Sequence, residues 1–254
     1  MLDSLPVTLT LRHALRALLE RNGYWIRHRS VLPFGIDYQY DIKRLCKIYG
    51  GDIAVFVDVG ANIGQTSLTA LISYPSAKVL AFEPDQMTFG ALREKVRNAR
   101  FQPYKLALSD TSGDARFFDY GAFATSNSLV GDAQYAMRAG HPVTVRTVQC
   151  ETLDGFCRGH SIDRIDVLKI DTEGHEMAVL RGASEMLAAH CIRFVYVEFN
   201  TLLSKTGSSG VALMPIGNLL EPLGFRFVAT YPELMITTGD LFVASNALFI
   251  HEAI

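Results

Sequence analysis

The segment IAVFVDVG (53–60) is an unbroken β-forming apolar run that stops at a glycine, and it sets the pattern for most of the chain. Such a run suits a strand covered on both faces, as in a parallel sheet. A helical segment follows from about Gly64 to Tyr74, with Leu68, Leu71 and Ile72 on one face. KVLAFEP (78–84) reads as the next strand and DQMTFGALREKVRNA (85–99) as the next helix, with Phe89, Leu92 and Val96 at i, i+3 and i+7. YKLALSD (104–110) reads as a third strand. Strand, helix, strand, helix, strand at this spacing predicts a parallel sheet with right-handed crossovers.

The rhythm breaks over about 111–150, where ARFFDY and VTVRTVQ alternate like strands around a loop-like stretch. IDVLKID (165–171) resumes it, followed by a helix to about Ala189 and a strand RFVYVEFN (193–200). Ile216, Leu219, Leu220 and Leu223 mark a further helix closed by Gly224. FRFVATY (225–231) and LFVASNALFIH (241–251) then suit an antiparallel hairpin. Residues 1–50 stand apart as an N-terminal helical cap or extension, leaving 51–254 as the main domain. Leu11, Leu15 and Leu18 fall on one helix face with Arg12 and Arg16 on another, a pattern shared by helices that cover a core edge and helices that lie on a membrane.

With 254 residues the chain suffices for one large α/β domain. Its 24 Lys and Arg against 26 Asp and Glu lack the basic surplus of a nucleic-acid binder, so no nucleic-acid partner is expected. No apolar run approaches the ~18 residues of a membrane span. The arginines follow the first apolar stretch, the wrong order for a secretory signal. Cys46, Cys150, Cys157 and Cys191 form no C-x-x-C pair, which disfavours a zinc site and suits free thiols in a cytoplasmic protein.

The turn Asp58-Val59-Gly60-Ala61-Asn62-Ile63-Gly64 offers backbone N–H groups and a helix N-terminus to an anionic or carboxylate-bearing ligand. A dinucleotide fingerprint needs glycine where Asn62 and Gln65 stand, so close approach to a pyrophosphate is disfavoured. Glu83 closes the second strand about 20 residues further on, where a carboxylate accepts both hydroxyls of a ribose. An acid favouring the next helix N-terminus is the other reading. An adenosine ligand without phosphates points to S-adenosylmethionine, with NAD as the second choice.

VFVDVGANIGQTSL, AFEPD, LALSD, TLDGF, VLKIDTEGHEMAVLRGA and VYVEFN, in this order, resemble the FkbM-type family of S-adenosylmethionine-dependent methyltransferases over roughly residues 54–230. The resemblance implies the class I methyltransferase fold, a Rossmann-like three-layer α/β sandwich whose mostly parallel seven-stranded sheet has one antiparallel strand near its edge. It implies methyl transfer to oxygen, with sugars and other small molecules as acceptors. It also implies that Asp58, Gly60, Ala61, Asn62 and Gly64 surround the methionine end of the cofactor. Glu83 and Pro84 would hold the ribose, and Ala107 would line the adenine. Asp110 either reaches the adenine amino group or is a solvated turn acid.

An alcohol acceptor is protonated at neutral pH, so a general base is expected, and KIDTEGHE (169–176) supplies candidates. Lys169 and Asp171 point to one face of their strand, as catalytic groups or as a pair that neutralises itself beneath the cofactor. Glu173 is a base or a helix cap, and His175 a base or an exposed first-turn histidine. Glu198 ends the adjacent strand, and two carboxylates facing one cleft could also seat a divalent ion, although nothing has the spacing of a dedicated cage. Ser126, Asn127, Ser128, Tyr135 and His141, in the loop 121–142, are expected to face the acceptor. Tyr38 and Tyr40 either stack on a sugar or pack. An N-methyltransferase on the same scaffold and a non-catalytic nucleoside-binding protein remain as alternatives; the sequence speaks to no oligomeric state.

Overall fold

The structure, a computed structural model, describes residues 7–24, 28–121, 124, 127–131, 143–202, 212–237 and 241–253. Its central sheet has seven strands in the order β3-β2-β1-β7-β8-β10-β9. They are β1 (Val55–Val59), β2 (Lys78–Phe82), β3 (Phe101–Tyr104), β7 (Ile165–Ile170), β8 (Ile192–Leu202), β9 (Phe225–Thr237) and β10 (Leu241–His251). Strands β3, β2, β1, β7 and β8 run parallel, while β10 lies antiparallel to both β8 and β9. This is the class I methyltransferase fold, with its one reversed strand next to the edge.

Alternation along the strands sorts the core into two layers. Phe56, Val79, Val167 and Phe194 point to one face, where they meet α2 (Tyr38–Tyr49), α3 (Gln65–Ser73) and α4 (Gln86–Lys95) through Ile42, Leu71 and Leu92. Val57, Leu80, Leu168 and Val195 point to the other. There they meet α5 (Leu153–Gly159), α6 (Glu176–Arg181), α7 (Ser184–Ala188) and α8 (Leu213–Leu220) through Phe156, Val179, Leu187 and Ile216. Strands apolar on both faces therefore need helices on both.

Two sequence expectations change. The edge strand of the main sheet is β3, not 104–110; Pro103 has no N–H to give, and an edge strand tolerates that. Ala107–Leu108 instead forms β4 of a separate sheet ordered β4-β6-β5, with β5 (Gly113–Asp119) and β6 (Thr144–Glu151). The helix read as continuous to Ala189 is broken into α6 and α7 at Gly182, whose Cβ would lie 1.9 Å from the carbonyl oxygen of Ser109. Asp154 caps the restarted helix, accepting from the N–H groups of Glu185 (2.8 Å) and Met186 (3.0 Å).

The N-terminal segment is not uniform. Asp37 caps α2 by accepting from the Tyr40 N–H, and Ile42 and Leu45 are buried in the core of the main domain. Buried Asp41 accepts from Tyr231 Oη at 2.9 Å, and Tyr38 stacks on Tyr196 at 3.8 Å, so Tyr38 has a packing role. Tyr40 lies under the guanidinium groups of Arg29 and Arg44. In α1 (Val7–Arg21), by contrast, Leu15 and Leu18 are each 57% exposed, so that part of the stripe covers no core edge; the side chain of Leu11 lies outside the described residues. No helix among the described residues is long and apolar enough to cross a membrane.

The Gly182 contact joins the small sheet to the helical layer and is testable. Gly182→Ala must push the Ser109 backbone aside, at a cost of about 1–3 kcal/mol. That corresponds to a Tm drop of roughly 2–12 °C for a chain of this size in a thermal melt. An unchanged melting temperature would show that the two backbones are not in contact.

Candidate cofactor and acceptor site

A cavity of about 510 Å³ opens beyond the carboxyl ends of β1, β2, β7 and β8, where open α/β sheets bind ligands. The turn after β1 forms one wall. Gly60 has φ 72°, and a Cβ there would fall 1.8 Å from the carbonyl oxygen of Asp171, so a side chain is excluded twice over. Gly60, Ala61 and Asn62 line the cavity, joined by Gln65 and Thr66, which sequence reasoning missed. Polar residues in the first turn of α3 were the available signal for both.

Gly64 has a different task. A Cβ on it would meet Leu92 Cδ1 and Val96 Cγ2 at 2.7 and 2.6 Å, so it allows the start of α3 to pack beside α4 and is absent from the cavity wall. Asp58 is also absent from that wall. It is fully buried one residue back in β1, accepting from Ser67 Oγ at 2.7 Å and pairing with Lys169 Nζ at 3.1 Å. The register explains the pair, because Asp58 and Lys169 are direct neighbours across β1 and β7. Lys169 Nζ also reaches the carbonyl oxygens of Gly60 (3.1 Å) and Val59 (3.4 Å) and Asp171 Oδ2 (3.4 Å). Burial pulls its pKa down, but Asp58 and Asp171 more than offset this and hold it above the ordinary lysine value. A permanently charged ammonium cannot be the base; Lys169 positions the turn instead.

Glu83, 7% exposed, bridges two segments. Its Oε2 accepts from the Asn62 N–H (3.1 Å) and its Oε1 from the Asp85 N–H (3.0 Å). Burial pushes its carboxyl up to about 7 despite those two donors. Each oxygen retains capacity for another hydrogen bond on the cavity side. Pro84 lines the wall beside it, while Asp85 caps α4 by accepting from the N–H groups of Met87 and Thr88. Leu106, Ala107, Leu108 and Phe117 make an apolar end suited to a flat ring. Asp110 does not join them. Slight burial pushes its pKa up, but its contacts with Arg181, at 3.1 Å, outweigh this, so the carboxylate is ionised and turned away from the cavity wall.

The opposite end is acidic. The pairing of Ile170 with Val197 brings Asp171 and Glu198 side by side just beyond it. One oxygen from each of Asp171, Glu173 and Glu198 lies within 4.8 Å of the other two. Burial, then the charges of Asp171, Glu173 and Glu176, push the Glu198 carboxyl far above the carboxylate range. Glu173 (φ 56°) and Gly174 (φ 100°) form a left-handed bend. Helix α6 opens at Glu176 with His175 in the N-cap position and no side-chain cap, and the buried Glu176 carboxylate instead braces the preceding bend, accepting from the N–H groups of Thr172 (2.8 Å) and Gly174 (3.1 Å). His175 lines the cavity with Nε2 2.9 Å from Ser109 Oγ, and burial pulls its pKa below the ordinary value, so it is neutral at pH 7. Asn127 and Ser128 reach the cavity wall, Ser128 Oγ donating to the Thr172 carbonyl at 2.9 Å. Ser126, Tyr135 and His141 lie outside the described residues.

Residues 58–227 match the family model described as the methyltransferase FkbM domain. The chain is 27% identical over 208 residues to the 2-O-methyltransferase NoeI of Sinorhizobium fredii, spanning 76% of this chain and 80% of NoeI. It is 29% identical over 164 residues to the hexuronic acid methyltransferase AglP of Haloferax volcanii, spanning 64% and 62% of the two chains. Among solved structures, the magnesium protoporphyrin IX methyltransferase ChlM of Synechocystis aligns at 11% identity and a TM-score of 0.45, over 85% of this chain and 80% of that one.

Removing the buried lysine tests the positioning role. Lys169→Met strands Asp58 without its counter-ion and is expected to cost about 3–5 kcal/mol in urea unfolding. Adding Asp58→Asn should restore a large part of that loss, because the uncompensated charge goes with it. Additive losses in the double variant would show that the two side chains do not act as a pair.

Proposed function

Because the chain belongs to the FkbM methyltransferase family, and is therefore an S-adenosylmethionine-dependent methyltransferase, we propose that its cavity holds that cofactor along the β1–β2 wall. The acceptor hydroxyl then meets the acidic end beyond β7 and β8. The observation that carries this reading is Glu83: a nine-tenths buried carboxylate, already fixed by two backbone N–H groups, facing a cavity with an apolar end on one side and a glycine turn on the other. A ribose diol is a ligand that a carboxylate so held can accept from. The residues fit the cofactor in the remaining respects. Gly60 leaves the turn without side-chain bulk, and Ala107 and Leu108 leave room for a flat ring.

The bound cofactor supplies an electrophilic methyl group on a sulfonium. The chain's own residues orient the acceptor and receive its proton. In-line positioning can account for roughly 7–11 kcal/mol of the barrier, and proton removal adds about 10²–10⁴-fold. The carboxylates of Asp171 and Glu173 are better placed for the proton than His175, whose Nε2 is engaged by Ser109 and whose basicity is reduced by burial. Transfer to oxygen is in keeping with a relative named a 2-O-methyltransferase, and a saccharide-like acceptor with one named for hexuronic acid. The four cysteines, free thiols, suit a cytoplasmic setting.

Two outcomes test this reading. Glu83 titrates near 7 in the folded chain against 4.5 as an ordinary glutamate. Between those values the folded chain keeps a proton that the unfolded chain has lost, so the contribution of Glu83 to stability falls as pH rises through that window. Diol binding needs the ionised form, so cofactor affinity should rise between pH 6 and 8 (roughly tenfold for one proton over that span) with net proton release in calorimetry. Glu83→Gln should weaken binding and abolish the pH dependence; a pH-independent affinity in the unaltered chain would count against the assignment. Separately, Glu173→Gln should lower acceptor-dependent formation of S-adenosylhomocysteine by about 10²–10⁴-fold, with cofactor affinity retained. Unchanged turnover would remove Glu173 from proton transfer.

A further inference from the structure

The acidic end of the cavity holds more oxygen than a hydroxyl acceptor requires. Asp171, Glu173 and Glu198 converge within 4.8 Å, and like charges so close are not all tolerated without a cation or shared protons. Lys169 is already shared between Asp58 and Asp171. A second observation comes from the neighbouring strand. Asn246 on β10 lies directly opposite Glu198 on β8, so their side chains stand on the same face of the sheet. Glu198 Oε2 and Asn246 Oδ1 are both buried acceptor oxygens with no hydrogen-bond donor, on side chains only 9% and 2% exposed. Two buried acceptors side by side without a donor call for a positive partner, which is either a proton on Glu198 or a cation that takes that proton's place.

We propose that the convergence of Asp171, Glu173 and Glu198 beside the buried amide oxygen of Asn246 is a divalent-cation site. An all-oxygen, carboxylate-rich set suits a hard ion such as Mg²⁺ or Mn²⁺ and not zinc, which favours nitrogen and sulfur. The carboxylates come from one side, the ends of β7 and β8, so the coordination positions facing the cavity remain for water or for acceptor oxygens. This part rests on the reading that the acceptor binds here. A cation at this point would hold two neighbouring oxygens of a saccharide, a diol or a hydroxy acid, and would lower the pKa of the hydroxyl it touches. It would also allow an anionic sugar to approach an otherwise acidic wall.

Mn²⁺ titration of the full chain followed by electron paramagnetic resonance tests the site without reference to turnover. One Mn²⁺ per chain is expected, competed by Mg²⁺, with affinity reduced at least about tenfold in Asp171→Asn and Glu198→Gln. Glu173→Gln, on the bend at the cavity rim, gives the same readout with less risk to folding, and thermal melts identify any variant that fails to fold. The proposal is overturned if no Mn²⁺ binds at millimolar concentration, or if binding is unchanged in all three variants. It is also overturned if S-adenosylmethionine displaces the ion, which would assign the carboxylates to the cofactor's ammonium. Calorimetry with S-adenosylmethionine on the unaltered chain separates the two readings: cofactor binding without Mn²⁺ binding sinks the cation site alone, and the converse sinks the cofactor assignment alone.

Discussion

Lys169 is the cation around which the carboxyl ends of the central strands are arranged. Its ammonium lies in the middle of the sheet, 3.1 Å from Asp58 and 3.4 Å from Asp171, and it also draws in the carbonyl oxygens of Val59 and Gly60. Burying one charge costs several kcal/mol, and only a full set of close acceptors offsets it. Here those acceptors are the strand end and the turn that form the cavity wall. The pair therefore couples the geometry of the glycine turn to the position of β7, and hence to Asp171 and the acidic end. Gly60 completes this coupling, since the Asp171 carbonyl occupies the space a side chain would need.

The titratable groups around the cavity divide according to what solvates them. Asp110 is held ionised by a guanidinium and turned away from the cavity wall. Glu83 keeps two backbone donors yet is buried enough to titrate near neutrality, which makes it responsive to a ligand that brings hydroxyl donors. Glu198 has acidic neighbours and no hydrogen-bond donor to its Oε2, so it is driven furthest toward the protonated form. Three carboxyl groups, two on the cavity wall and one outside it, thus have three different ground states, each set by its surroundings rather than by its residue type.

The flanking elements keep this arrangement in place. Helix α2 belongs to the core, tied to β9 by Asp41 and Tyr231 and to β8 by Tyr38 on Tyr196, the residue that pairs with Lys169 in the sheet. The small sheet contributes Ala107 and Leu108 to the apolar end of the cavity and is pressed against the helical layer at Gly182. A chain segment that looked like an appendage and a stretch that broke the strand–helix rhythm both turn out to support the site.

The alternation of apolar strands and amphipathic helices is local information, and it was enough to specify the parallel sheet, the terminal hairpin and the position of the glycine turn. The placement of Glu83 at a strand end, and the grouping of Lys169, Asp171, Glu173 and His175 at and beyond the end of β7, were legible for the same reason, since each depends on spacing within one segment. Which way each group faces was not legible. Asp58 and Gly64 belong to the same motif as Gly60, yet one pairs with a lysine on another strand and the other packs against α4. The Glu176 carboxylate reaches back into the bend before α6 because the left-handed turn at Glu173 and Gly174 presents two N–H groups to it. Likewise, Asn246 has no significance until the register sets it opposite Glu198. Periodicity along the chain determines which residues lie on which element, because it follows from backbone geometry alone. Partnership between charged groups on different strands depends on register and crossing distance, and those exist only once the sheet has assembled.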